Sequence, residues 1–67
     1  MILARKSRKF WYDITVYRTN GQELKFNYVN YCKLDRIFNI LIIVGSEDAD
    51  YIDYTDVKRV HIYCRNK

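Results

Sequence analysis

Cys32, His61 and Cys64 are the residues of this chain with the widest chemical repertoire, and their spacing limits what they can do. A thiol, an imidazole and a carboxylate make a nucleophile, a base and an orienting group only within hydrogen-bond reach. His61 and Cys64 stand three positions apart in a strand-like segment, so their side chains are expected on opposite faces. Cys32 would meet His61 only through the tertiary fold. Two separated cysteines and one histidine do not make the paired four-ligand pattern of a zinc site. Gly21 and Gly45 are the only glycines, too few for a phosphate-cradling loop. The carboxylates of Ser46–Asp56 lack the spacing and central glycine of a calcium loop. We therefore expect no catalytic residue, no metal and no cofactor, with both thiols buried or half-buried and His61 at the surface.

Size points the same way. A 67-residue chain buries about 60% of its unfolded surface, leaving little interior for a pocket of roughly 300–1,000 Å³. Binding is the remaining class of function, and the charges suggest where. The chain has 12 basic and 8 acidic residues, a formal +4. Arg5, Lys6, Arg8 and Lys9 alone account for that excess, because residues 1–9 contain no acid. Farther on, Asp48, Asp50, Asp53 and Asp56 are interleaved with Tyr51 and Tyr54. The end of the chain carries Arg59, His61, Tyr63 and Arg65 at alternate positions.

The elements that must position these groups are read from periodicity. Phe10–Arg18 alternates, with Phe10, Tyr12, Ile14 and Val16 on one side and Trp11, Asp13, Thr15 and Tyr17 on the other. Glu23–Val29 alternates through Leu24, Phe26 and Tyr28. Thr19-Asn20-Gly21-Gln22 between them is a hairpin signal. A two-residue turn would set Val16 opposite Lys25. A three-residue loop sets Val16 opposite Leu24, Ile14 opposite Phe26 and Tyr12 opposite Tyr28, so both apolar rows share one face. We expect the latter, a type I turn with Gly21 left-handed as a bulge.

Residues 31–44 carry two patterns. Leu34, Ile37, Phe38, Leu41 and Val44 keep helical spacing, whereas Ile40, Ile42, Ile43 and Val44 are β-branched and favour a strand. A turn or helical loop at 31–36 and a buried strand over Phe38–Val44 is preferred; the alternative is an α+β chain with a helix over 31–44. A short strand at Tyr51–Asp53, a tight turn at Tyr54–Val57 and a strand at Arg59–Cys64 follow, with Val60, Ile62 and Cys64 inward.

The segment Asp50–Ile62 (DYIDYTDVKRVHI) resembles the closing part of an SH3-like or Sm-like small barrel: short strand, helical turn, final strand. The resemblance is topological and implies no activity. The expected fold is all-β or β-rich, a five-stranded barrel or half-barrel over residues 10–67, with residues 1–9 as a flexible basic arm. No apolar run is long enough for a signal or a membrane span, so a cytoplasmic protein with reduced thiols is expected. Phe, Tyr, Met, Ile, Asn and Lys, whose codons are AT-rich, make 30 of the 67 residues, which suits a phage or another mobile element.

Two binding surfaces follow. The first expectation is a small accessory or inhibitory protein docking on a host macromolecule, such as a nuclease, polymerase or regulator, through Asp48, Asp50, Tyr51, Asp53, Tyr54 and Asp56. The alternative is direct nucleic-acid binding through Arg5, Lys6, Arg8 and Lys9 and a basic–aromatic face of Trp11, Tyr17, Arg59, His61, Tyr63 and Arg65. A homodimer joined at an open sheet edge fits either.

Overall fold

A computed structural model describes Met1 to Lys67. The fold is all-β, as its alternation implies. Seven strands follow in order: β1 (Ile2–Ala4), β2 (Phe10–Arg18), β3 (Glu23–Val29), β4 (Tyr31–Asp35), β5 (Ile40–Val44), β6 (Ala49–Asp53) and β7 (Val57–Asn66). A single 3-10 turn, Tyr54–Asp56, joins the last two. The strands make two antiparallel sheets, one ordered β1-β4-β5-β6 and the other β3-β2-β7. The two ladders do not join into one hydrogen-bonded ring. No helix is long and apolar enough to cross a membrane.

The β2–β3 hairpin has the expected register, Val16 opposite Leu24 and Ile14 opposite Phe26. The Gly21 N–H donates to the Arg18 carbonyl at 3.1 Å, and Gly21 sits at φ 90°, where a β-carbon is disfavoured. The Asn20 side chain accepts from the Gln22 N–H at 2.9 Å and fixes the turn. Beyond Phe26 the register departs from expectation. Tyr12 pairs with Val29 rather than Tyr28, because Tyr28 takes φ 57° and its ring leaves the core side. This bulge lets Val29, only 2% exposed, replace Tyr28 in the interior.

Residues 31–36 are not a turn, and no helix spans 31–44. Tyr31–Asp35 is strand β4, with Cys32 and Leu34 buried, and it pairs along its whole length with β5. The true turn is residues 36–39, where the Asp35 side chain accepts from the N–H groups of Ile37 (3.0 Å) and Phe38 (3.3 Å). Asn39 at φ 55° completes it. The helical spacing of Leu34, Ile37 and Phe38 thus belongs to a strand end and an exposed turn. Tertiary pairing overrides it.

Residues 1–9 are not a free arm throughout. Ile2–Ala4 forms a strand on β4, Ala4 is buried, and the Leu34 N–H donates to the Met1 carbonyl at 2.8 Å. Of residues 1–9, Met1 and the segment Arg5–Lys9 lie outside the strands. Ala4, Ile14, Val16, Val29, Cys32, Leu41 and Ile43 form one core between the sheets, with Leu24, Phe26, Ile52, Val60 and Ile62 packed around it. Just eight residues in all are buried, so each is a large share of the interior.

Candidate functional site

The long β2–β7 ladder builds the most organised polar surface of the molecule. β7 pairs with β2 from Phe10–Asn66 to Arg18–Val57, with one register shift between Tyr17 and Arg18, so from Trp11 to Tyr17 each outward residue of one strand meets an outward residue of the other. Trp11 lies opposite Arg65, Asp13 opposite Tyr63, Thr15 opposite His61 and Tyr17 opposite Arg59. From Trp11 to Tyr17 the row runs about 20 Å at strand spacing.

Cations lie over rings along this face. The Arg59 guanidinium is 4.8 Å from the centre of the Tyr17 ring, that of Arg65 is 4.4 Å from Tyr28, and the Lys67 ammonium is 4.2 Å from Trp11. Trp11 and Tyr28 meet edge to face at 5.8 Å. Arg65 is also held by Asp13, its Nε 3.4 Å from Oδ2, while Asp13 Oδ1 has no partner within the chain. Lys67 donates from Nζ to the Ser7 carbonyl at 2.6 Å, and its own N–H donates to the Lys9 carbonyl at 2.8 Å. These bonds bring the Ser7–Lys9 end of the basic segment beside Trp11. Arg5, Lys6, Arg8 and Lys9 are all exposed.

The structure thus brings Trp11, Tyr17, Arg59, His61, Tyr63 and Arg65 onto one face. Tyr28 and Lys67 were missed by sequence. Tyr28 was placed inward by strict alternation, and only the positive φ sends it outward. Lys67 follows the alternation of Arg59, His61, Tyr63 and Arg65, a signal that could have found it. A shallow depression of about 180 Å³ lined by Tyr17, Lys58 and Arg59 lies at the Tyr17 end.

The acidic surface is less coherent. Asp53 caps the 3-10 turn, accepting from the Thr55 N–H at 3.0 Å and its hydroxyl at 2.8 Å; these two bonds hold its carboxyl below the usual range. Asp56 lies 3.5 Å from Arg18. Tyr54 packs against the core. Asp48, Asp50 and Tyr51 remain exposed on or beside β6, and Tyr51 and Asp50 point to opposite sides of the sheet.

The thiols do not form a site. Cys32 is fully buried in the four-stranded sheet, and burial pushes its thiol up to about 11. Cys64 is exposed, against the expectation that it is buried or half-buried, because it lies near the end of β7 where the core no longer covers it. No three His, Cys, Asp or Glu side chains gather as metal ligands. Comparison with protein-family models, with curated proteins and with solved structures finds no match.

Proposed function

We propose that this protein is a non-catalytic binding module that takes single-stranded nucleic acid across the outer face of the β3-β2-β7 sheet. The observation that carries the proposal is the ladder of rings and cations on β2 and β7. Rings offer stacking platforms to bases, and stacking contributes ~1–3 kcal/mol per base. Arginine and lysine beside the rings neutralise phosphates and release counterions. Because each cation already lies over a ring, it is positioned before a strand arrives. Bound nucleic acid would draw Lys67 from Trp11 to a phosphate and place a base on the ring. Asp13 keeps Arg65 in place. Arg5, Lys6, Arg8 and Lys9 extend the positive surface past Trp11.

Docking of an acidic edge on a host protein has weaker support, since Asp53 and Asp56 already serve as cap and ion-pair partner. Asp48, Asp50 and Tyr51 would have to carry it. The AT-rich residue usage supports a phage or mobile-element origin under either proposal.

The test is fluorescence anisotropy with a labelled single-stranded oligonucleotide over a salt series. We expect affinity to fall with salt with a logarithmic slope of about −2 to −3, as for three or four neutralised phosphates. Trp11→Ala should weaken binding about 5- to 150-fold without changing that slope. Replacing Arg5, Lys6, Arg8 and Lys9 by alanine should make the slope shallower. Salt-independent binding, or none at low salt, would overturn the proposal, as would recovery of a lysate protein that survives nuclease and depends on Asp48, Asp50 and Tyr51.

A further inference from the structure

Lys58 and Arg59 are neighbours in β7, and in a regular strand their side chains would leave on opposite faces. Here they do not. Tyr17 pairs with Arg59 and Arg18 with Val57, so Lys58 has no partner across the ladder and forms a bulge. Lys58, Arg59 and Tyr17 consequently line one shallow depression of about 180 Å³. The Arg59 guanidinium, 4.8 Å from the centre of the Tyr17 ring, is held there before any ligand arrives. Neither cation is neutralised, because the ion pairs of the chain are Arg18–Asp56 and Arg65–Asp13. Bulges re-aim side chains beside sites, and this one adds a second unpaired cation to the first.

We infer that this depression holds the terminal phosphate of the bound strand. The inference rests on the reading of the β3-β2-β7 face as a nucleic-acid surface, and it adds where the strand ends. Two observations select a terminus. The ladder stops here, since β2 ends at Arg18 and β7 starts at Val57. The turns that follow, residues 19–22 and Tyr54–Asp56, contain no lysine or arginine. Arg18 itself is engaged by Asp56 at 3.5 Å and Gln22 at 2.8 Å, and Glu23 pairs with Tyr17 on the strand away from Arg59. A polyanion therefore finds no free cation to follow past Tyr17. The second observation is charge. A terminal phosphomonoester carries about −1.5 to −2 charges at neutral pH, against about −1 for an internal phosphodiester, and two unpaired cations match the former. A guanidinium binds two oxygens of such a group as a fork, and an ammonium binds the third as a point charge. A 5′ and a 3′ phosphate share this chemistry.

Fluorescence anisotropy at low salt tests it, with one internally labelled single-stranded oligonucleotide bearing a 5′ phosphate, a 3′ phosphate or neither. We expect one phosphorylated version to bind about tenfold tighter than the unphosphorylated one, and the version that gains identifies the end in the depression. Lys58→Ala should cut that advantage to about twofold or less. Lys6→Ala, in the basic segment towards Trp11, should weaken all three versions alike and keep the advantage. If Lys58→Ala does not fold, Lys58→Gln decides in its place. Equal binding of the three versions overturns the inference and leaves the nucleic-acid reading standing. So does an equal gain for both ends, or an advantage that survives the loss of Lys58 or disappears with Lys6. No binding of any version overturns both.

Discussion

The two sheets share one core and present opposite chemistry outward. The outer face of β3-β2-β7 carries rings and cations together, with Arg59, Arg65 and Lys67 each over a ring and Arg65 also beside Asp13. The outer face of β1-β4-β5-β6 carries Ile40, Ile42, Val44 and Tyr51, with little over them. Period-two alternation explains the first face apart from Tyr28: inward apolar, outward polar. It does not explain β5, where the outward positions are as apolar as the inward ones. A face of rings and cations offers contacts to a charged ligand, whereas an exposed apolar face is the kind of surface that marks interaction sites.

The comparison assumes that the sheets stand or fall together, and the largest effect tests this. Leu41→Ala removes a fully buried side chain from the four-stranded sheet, and we expect a loss of about 2–5 kcal/mol. Trp11 fluorescence on the other sheet should report the same denaturant midpoint as circular dichroism. Separate midpoints would mean two independent sheets.

Arg65→Ala sharpens the account of the polar face. It removes the cation between Asp13 and Tyr28 and leaves the Asp13 carboxylate without its only partner. The expected cost is about 1–2 kcal/mol in chemical denaturation. Asp13→Asn in the Arg65→Ala background should cost nothing further, since the pair is already broken. Gly21→Ala, in the hairpin that supplies two of that face's strands, should cost roughly 1 kcal/mol through its positive φ, with no clash to add, since no atom lies within 4 Å of the new carbon.

The smallest effects come from titration and distinguish the two thiols. Iodoacetamide at pH 8 should modify Cys64 and spare Cys32 in the folded protein, as read by mass spectrometry. The folded Cys32 thiol titrates near 11, above its ordinary 9.0, so its contribution is complete below 9 and is lost as pH rises towards 11. Cys32→Ala should remove that part of the alkaline decline in melting temperature. Asp53 has the opposite sign: its depressed carboxyl supports the fold above the ordinary range and loses that support as acid protonates it.

Much of this was legible in the residues. The hairpin register follows from matching apolar rows, and the polar face from alternation in two strands of similar length. Four features were not. Tyr28 departs from alternation because a bulge turns on a positive φ, which no residue type announces in a tyrosine. Residues 31–36 were misassigned because Cys32 and Leu34 signal a strand only once β5 lies beside them. Ile2–Ala4 was hidden by the basic run that follows it, though three apolar residues suffice to cover a sheet edge. Cys64 keeps inward phase but passes the end of the core, and phase alone does not say where a core stops.

The β2–β7 ladder has a further consequence, for the order in which the molecule can be built. The β2–β3 and β4–β5–β6 pairings join neighbours in the chain, and each needs only a short loop to close. Phe10 and Asn66 belong to one ladder, so that ladder closes the longest loop of the fold. Contacts of such separation slow folding, because chain entropy is lost before the contacts form. A chain emerging from the ribosome can therefore form its hairpins early, but it has no ring-and-cation surface until β7 arrives. Unfinished copies would lack that face altogether.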